Sequence, residues 1–183
     1  MKKLLILLIV FTLFLSGCGV YNLSGFTLPD DAEFLALIEE LDTPEKIGNY
    51  MLENFTYKFH NFYAPDPYIL WQTKEGDCND MSTFGIFTAN WHGIETYQIE
   101  IFLYETTLKH WIAVYVENNG FSITDNQDYF SGYPLIIDNQ LCFPNFNSFE
   151  QILKFDSLRK NNIWSKYIVY DYWNNIIEEV FNN

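Results

Sequence analysis

Lys109-His110-Trp111-Ile112-Ala113-Val114-Tyr115-Val116-Glu117-Asn118-Asn119-Gly120-Phe121-Ser122-Ile123-Thr124-Asp125 is the stretch on which the fold turns. Lys109 to Glu117 is rich in β-branched and aromatic residues and reads as a strand, as does Phe121 to Asp125. Asn118-Asn119-Gly120 between them has the composition of a hairpin turn. If Asn118 and Asn119 are the two turn residues, Glu117 faces Gly120, Asp125 faces Ile112 and His110 faces Gln127. His110 and Asp125 then share a face as diagonal neighbours, about 7–8 Å apart at the backbone, within reach of an imidazole and a carboxylate. A three-residue turn without a bulge would put them on opposite faces.

Upstream, Thr96 to Tyr104 alternates like a half-buried strand. Cys78 to about Trp91 reads as a helix that starts after Gly76-Asp77 and is closed by Gly93. Two earlier helices are marked by Pro29-Asp30-Asp31, with Phe34, Leu35, Leu37, Ile38 and Leu41 as apolar face, and by Thr43-Pro44-Glu45, with Ile47, Tyr50 and Met51. His60 to Pro67 reads as an aromatic loop. Downstream, Tyr129 to Asn147 is turn-rich, and Ser148 caps a helix to about Leu158. Tyr167 to Tyr170 suits a strand, and Asp171 to Val180 suits a final helix. Helices, then an antiparallel sheet, then mixed elements make an α+β domain spanning residues 29–183.

The chain has 183 residues, 49% apolar and 19% aromatic, which excludes a disordered, collagen-like or coiled-coil protein. Its formal net charge of −14 argues against nucleic acid as a partner, because phosphate neutralisation needs clustered Lys and Arg. Lys2-Lys3 followed by the apolar run Leu4 to Leu15, too short to span a bilayer, has the pattern of a secretory signal peptide over residues 1–17. Leu15-Ser16-Gly17-Cys18 resembles the lipobox of bacterial lipoproteins. That resemblance implies cleavage before Cys18, lipidation of its sulfur, a tether over residues 18–28 and anchoring to a membrane of the cell envelope. Losing Lys2 and Lys3 takes the formal charge from −14 to −16, which repels anionic lipid and holds the domain off the bilayer.

Cys78 sits where a helix dipole favours thiolate, whereas the neighbouring Asp77 and Asp80 favour the neutral thiol unless they are paired or turned away. Its other readings are an inert buried thiol or a disulfide with Cys142, itself a candidate core residue. Asp128 and Asn126 rival Asp125 as the carboxylate or amide partner of His110. His60 and His92 have no metal-ligand spacing with each other or with Cys142, and His92 suits a helix C-terminus. No metal or cofactor is expected.

Gly76-Asp77-Cys78-Asn79-Asp80, then Lys109 to Tyr115, then Thr124-Asp125 resemble the core of the transglutaminase-like superfamily, nearest its bacterial cysteine peptidases. The resemblance covers roughly Thr43 to Tyr129. Ile112 and Ala113 stand where many members have a small residue and then an acidic one, and Asn126 where many have Pro. The resemblance implies a papain-like fold with Cys78 as nucleophile, His110 as general base and acid, and Asp125 as its orienting partner. It also implies acyl transfer on peptide or glutamine amides through a thioester. The backbone N–H of Cys78 is a reasonable oxyanion donor. Gln72, six residues before Cys78, and Trp71 are candidates for a second, or are plain loop residues. The alternative function is a non-catalytic surface lipoprotein that uses the same fold as a binding module.

Overall fold

The computed structural model describes residues 28–60, 66–118, 120–132, 135–137, 140–142 and 145–182, with only the backbone of 135–137 and 140–142. The signal peptide, Cys18, the tether as far as residue 27 and the loop residues 61–65 lie outside the described residues.

The elements in chain order are α1 (Ala32–Glu40), α2 (Pro44–Asn54), β1 (Thr56–Tyr57), α3 (Pro67–Thr73), β2 (Glu75–Gly76), α4 (Cys78–Trp91), β3 (Thr96–Leu103), β4 (Lys109–Glu117), β5 (Gly120–Asp125), β6 (Asp128–Phe130), β7 (Leu135–Ile137), β8 (Gln140–Cys142), α5 (Phe149–Lys160), β9 (Trp164–Asp171) and β10 (Ile176–Phe181). Local chemistry sets the helix starts. Asp31, Thr43, Asp66, Asp77 and Ser148 each accept a backbone N–H at an N-terminus, and α2 and α3 carry proline in the first turn. Gly93, with φ of 75°, follows the end of α4 as a left-handed residue.

The main sheet has six antiparallel strands in the order β10-β9-β3-β4-β5-β6. Its two faces follow the period of two along β4. Ala113 and Tyr115 join the core built with Phe34, Ile47, Met51 and Phe84 of the first helices, whereas Ile112 and Val114 join the one built with Ile152 and Leu153 of α5. The sheet is therefore covered by α1, α2 and α4 on one face and by α5 on the other. Glu117 faces Gly120 and Ile112 faces Asp125, the register of the two-residue turn.

Two sequence expectations are corrected. Asp171 to Val180 is no helix: Asp171 ends β9, and its carboxylate accepts N–H groups from Trp173 and Asn175 at 2.9 and 2.7 Å. Asn174 adopts a positive φ of 65°, and β10 returns along β9 as an edge strand. The Asx turn overrides the helix-like spacing of Ile176, Ile177 and Val180. In addition, Trp71 and Gln72 lie on α3 and not in a loop, because Pro67 serves as a first-turn residue behind the Asp66 cap. Among the described residues no helix is long and apolar enough to cross a membrane.

Helix α4 sits unusually close to the sheet. The Gln98 amide donates to the hydroxyls of Ser82 and Thr83 at 2.7 and 3.1 Å. A Cβ at Gly85 would lie 2.3 Å from the hydroxyl of Tyr115, which is fully buried and bonded to Thr124 at 2.7 Å. Gly85→Ala is expected to destabilise the fold by about 1–3 kcal/mol in chemical denaturation, since Tyr115 has no room to withdraw. Unchanged stability would contradict this packing.

Candidate active site

Cys78 is the first residue of α4, buried and a free thiol. The acidic residues on either side of it are occupied in building the helix start. Asp77 Oδ1 accepts the N–H groups of Asn79 at 2.9 Å and Asp80 at 3.4 Å, and Asp80 Oδ2 accepts the N–H of Asp77 at 2.8 Å, so that Asp77 and Asp80 form a capping box. Short parallel pairing of β1 with β2, extended by the Lys58 N–H donating to the Gly76 carbonyl at 2.8 Å, lays the segment to His60 beside this helix start. His60 Nε2 then meets Asp80 Oδ2 at 2.5 Å and lies 3.9 Å from Asp77. Burial pushes the Asp80 carboxyl up, against the Asp77 N–H and the His60 ring, which favour its ionised form.

From β1, Tyr57 comes near Cys78 and Asp77. Burial first, then the thiol and the Asp77 charge, raise that phenol's pKa. Phe59, His60, Asp77, Cys78, Leu108 and Trp111 are among the residues lining a cleft of about 550 Å³.

The other half of the site comes from the hairpin. His110 Nε2 lies 2.7 Å from Oδ1 of Asp125, a fully buried carboxylate. The Cys78 thiol stands near enough to the ring to favour its protonated form. With Nε2 turned to Asp125, Nδ1 is the nitrogen left for the sulfur. His110 shares the alternation of Ile112 and Val114, the face that α5 covers, while Cys78 starts the helix on the opposite face. The imidazole thus links the two layers at the end of the sheet. Burial lowers the pKa of His110, but the hydrogen bond to Asp125, the Cys78 thiol and the Asp125 charge outweigh it and push it up to about 9. Burial likewise works against ionised Asp125. His110 and Lys160 reverse that and hold the carboxyl well below the usual range.

Sequence reasoning missed the two cations at the end of α5. Arg159 Nη2 donates to Oδ2 of Asp125, and Lys160 Nζ lies 2.9 Å from Oδ1. Adjacent cations at a helix C-terminus, in a chain with only 10 Lys and Arg, were the available signal. Tyr57 and His60 were missed as neighbours of Cys78 because β1 and β2 are two residues each. Asp128 is exposed and 4.0 Å from Arg159, and Asn126 takes the left-handed turn position after β5. Asp125 alone of the three meets His110. Trp71 packs on the rings of Phe34 and Tyr68 under the Lys74 ammonium, Gln72 is exposed, and neither lines the cleft. His92 ends α4, and its Nε2 lies 2.8 Å from the Ile38 carbonyl. The Cys142 side chain lies outside the described residues.

Two groups, His60 with Asp77 and Asp80, and His110 with Asp125 and Asp156, bring their ligand-type atoms within 4.8 Å of one another. In the first, the carboxylates are engaged by backbone N–H groups and His60. In the second, Lys160 and Arg159 occupy the carboxylate oxygens.

No family model matches the chain, and no curated protein matches it. Among solved structures, a "Putative Cysteine Protease" from Cytophaga hutchinsonii aligns at a TM-score of 0.41 and 11% identity, covering 85% of this chain and 61% of that one. The chain thus spans about three fifths of that protein. A likeness this slight carries neither fold nor activity, and function must be argued from the side chains themselves.

The raised pKa of His110 has a consequence for stability. Against an unfolded value near 6.5, a folded value of about 9 means that folding favours the protonated ring. Its contribution is complete below about pH 6.5 and is lost as pH rises through 9. The melting temperature is expected to fall across that window, and the fall to flatten in His110→Gln. An equal fall in the variant would contradict the assignment.

Proposed function

We propose that the chain is a cysteine-nucleophile enzyme that transfers the acyl group of peptide or glutamine amides through a thioester, on a papain-like, transglutaminase-like arrangement of a Cys-bearing helix against an antiparallel sheet. The observation that carries this reading is one imidazole that is hydrogen-bonded to the buried Asp125 and interacts with Cys78 at the start of α4. The Cys78 thiol gives its proton to Nδ1 of His110, and the thiolate attacks the amide carbonyl carbon. The backbone N–H of Cys78 at the start of α4 faces the developing oxyanion. The tetrahedral adduct collapses as the imidazolium returns its proton to the departing amine, leaving the thioester. Water or a second amine then attacks, giving up a proton to His110, and the sulfur leaves as thiolate. Water makes the enzyme a peptidase or amidase; an amine makes it a cross-linking enzyme. Asp125 holds the ring with Nδ1 toward sulfur and stabilises its cation. Phe59, Leu108 and Trp111 give the cleft apolar walls suited to a peptide or protein substrate.

The test is alkylation of Cys78 by iodoacetamide across pH, read by peptide mass spectrometry in the full-length chain. Alkylation at about pH 6–7 that falls at least roughly tenfold in His110→Ala is expected of a thiolate–imidazolium pair. A profile indifferent to His110 would overturn the reading and leave the binding module.

The proposal places the enzyme in the cell envelope, anchored through lipid on Cys18 with the acidic domain held off the membrane. The mature N-terminus, sequenced by mass spectrometry, is expected to be a lipid-modified Cys18. A retained Met1 would contradict the anchor.

A further inference from the structure

Lys160 lies in the last turn of α5, where its ammonium meets three groups at once. Nζ is 2.9 Å from Oδ1 of Asp125, 3.0 Å from Oδ1 of Asp156 and 2.6 Å from Nε2 of His110. Nε2 itself is 2.7 Å from the same Asp125 oxygen. An imidazole nitrogen holds either a proton or a lone pair in the ring plane. With the proton, Nε2 donates to Asp125 but faces an ammonium donor at close range. With the lone pair, it accepts from Lys160 and gives up the bond to Asp125. The protonated ring and Lys160 therefore cannot both use this oxygen well.

We propose that Lys160 is a positioning residue that competes with the protonated ring of His110 for Asp125 and so restrains the Cys78–His110 pair. The functional consequence rests on the reading of Cys78 and His110 as nucleophile and base; the competition itself does not.

The groups facing His110 give the effect a definite sign. They are Cys78 of α4, with Tyr57 of β1 behind it, Asp125 of β5, and Asp156, Arg159 and Lys160 of α5. Removing Lys160 takes a positive charge from beside the ring and frees Oδ1 for Nε2–H. It also leaves Asp156 either ionised, which favours the imidazolium, or protonated, which is indifferent. Asp125 stays anchored through Arg159 on its other oxygen. The first two effects favour the protonated ring, and the third does not oppose it. The directions at His110 agree: the Lys160 charge lowers its pKa and Asp125 raises it. A lysine that merely propped up Asp125 would act with the opposite sign, since its loss would loosen the carboxylate and lower the ring's pKa.

The chain has three histidines, so ring-¹⁵N labelling of the full-length protein isolates His110, assigned with His110→Gln. Lys160→Met is expected to raise its titration midpoint by about one unit or more and to speed Cys78 alkylation at about pH 5.5 several-fold. Lys160→Arg, which keeps the charge, is expected to stay near the native midpoint. Should Lys160→Met not fold because Asp156 has lost its partner, Lys160→Met with Asp156→Asn carries the same expectation. An unchanged or lowered midpoint in the lysine variant would overturn the proposal. A raised midpoint in a protein whose Cys78 alkylation ignores His110 would support the competition at Asp125 while ending the nucleophile reading.

Discussion

The carboxylate of Asp125 has no exposed surface, and every group that compensates its charge comes from another element. His110 reaches it from β4, and Lys160 and Arg159 from α5. An unpaired buried charge would be costly enough to expel itself or to take up a proton, so these partners must be in place for the site to exist. Because His110 also interacts with Cys78, the same carboxylate ties together the sheet, the helix on one face and the start of the helix on the other. The site is thereby bound up with the packing of both layers and is not an appendage of a loop.

The surroundings of Cys78 show how a strongly acidic chain can place a cysteine beside two aspartates. Asp77 and Asp80 are turned to the backbone at the start of α4, and His60 bonds Asp80. Their charge is taken up by N–H dipoles and an imidazole, which lessens what would otherwise oppose a thiolate at this position. Two-residue β1 and β2 make this possible by carrying Tyr57 and His60 alongside the helix cap.

Much of this was legible in the chain because its signals are local. The Asn118-Asn119 turn, read as two residues, already implied the register that puts His110 and Asp125 on one face, and Asp31, Thr43 and Ser148 marked their helix starts. What escaped was decided either by competing local signals or over long range. At Asp171 an Asx turn defeats an apolar spacing that also suits a helix, and Pro67, which reads as loop punctuation, opens α3. Lys160 and Arg159 meet Asp125 across some 34 residues of sequence, and no periodicity or motif specifies such a contact.

The central claim is that Cys78 and His110 share a proton so that the sulfur is ionised while the ring is charged. The most direct measurement is the ultraviolet absorbance of the thiolate across pH in the native chain, taken as the difference from Cys78→Ala. The account expects a Cys78 thiolate signal already present near pH 7 and abolished there in His110→Ala. A signal that grows in only near pH 8.5, the ordinary thiol range, with or without His110, would contradict it.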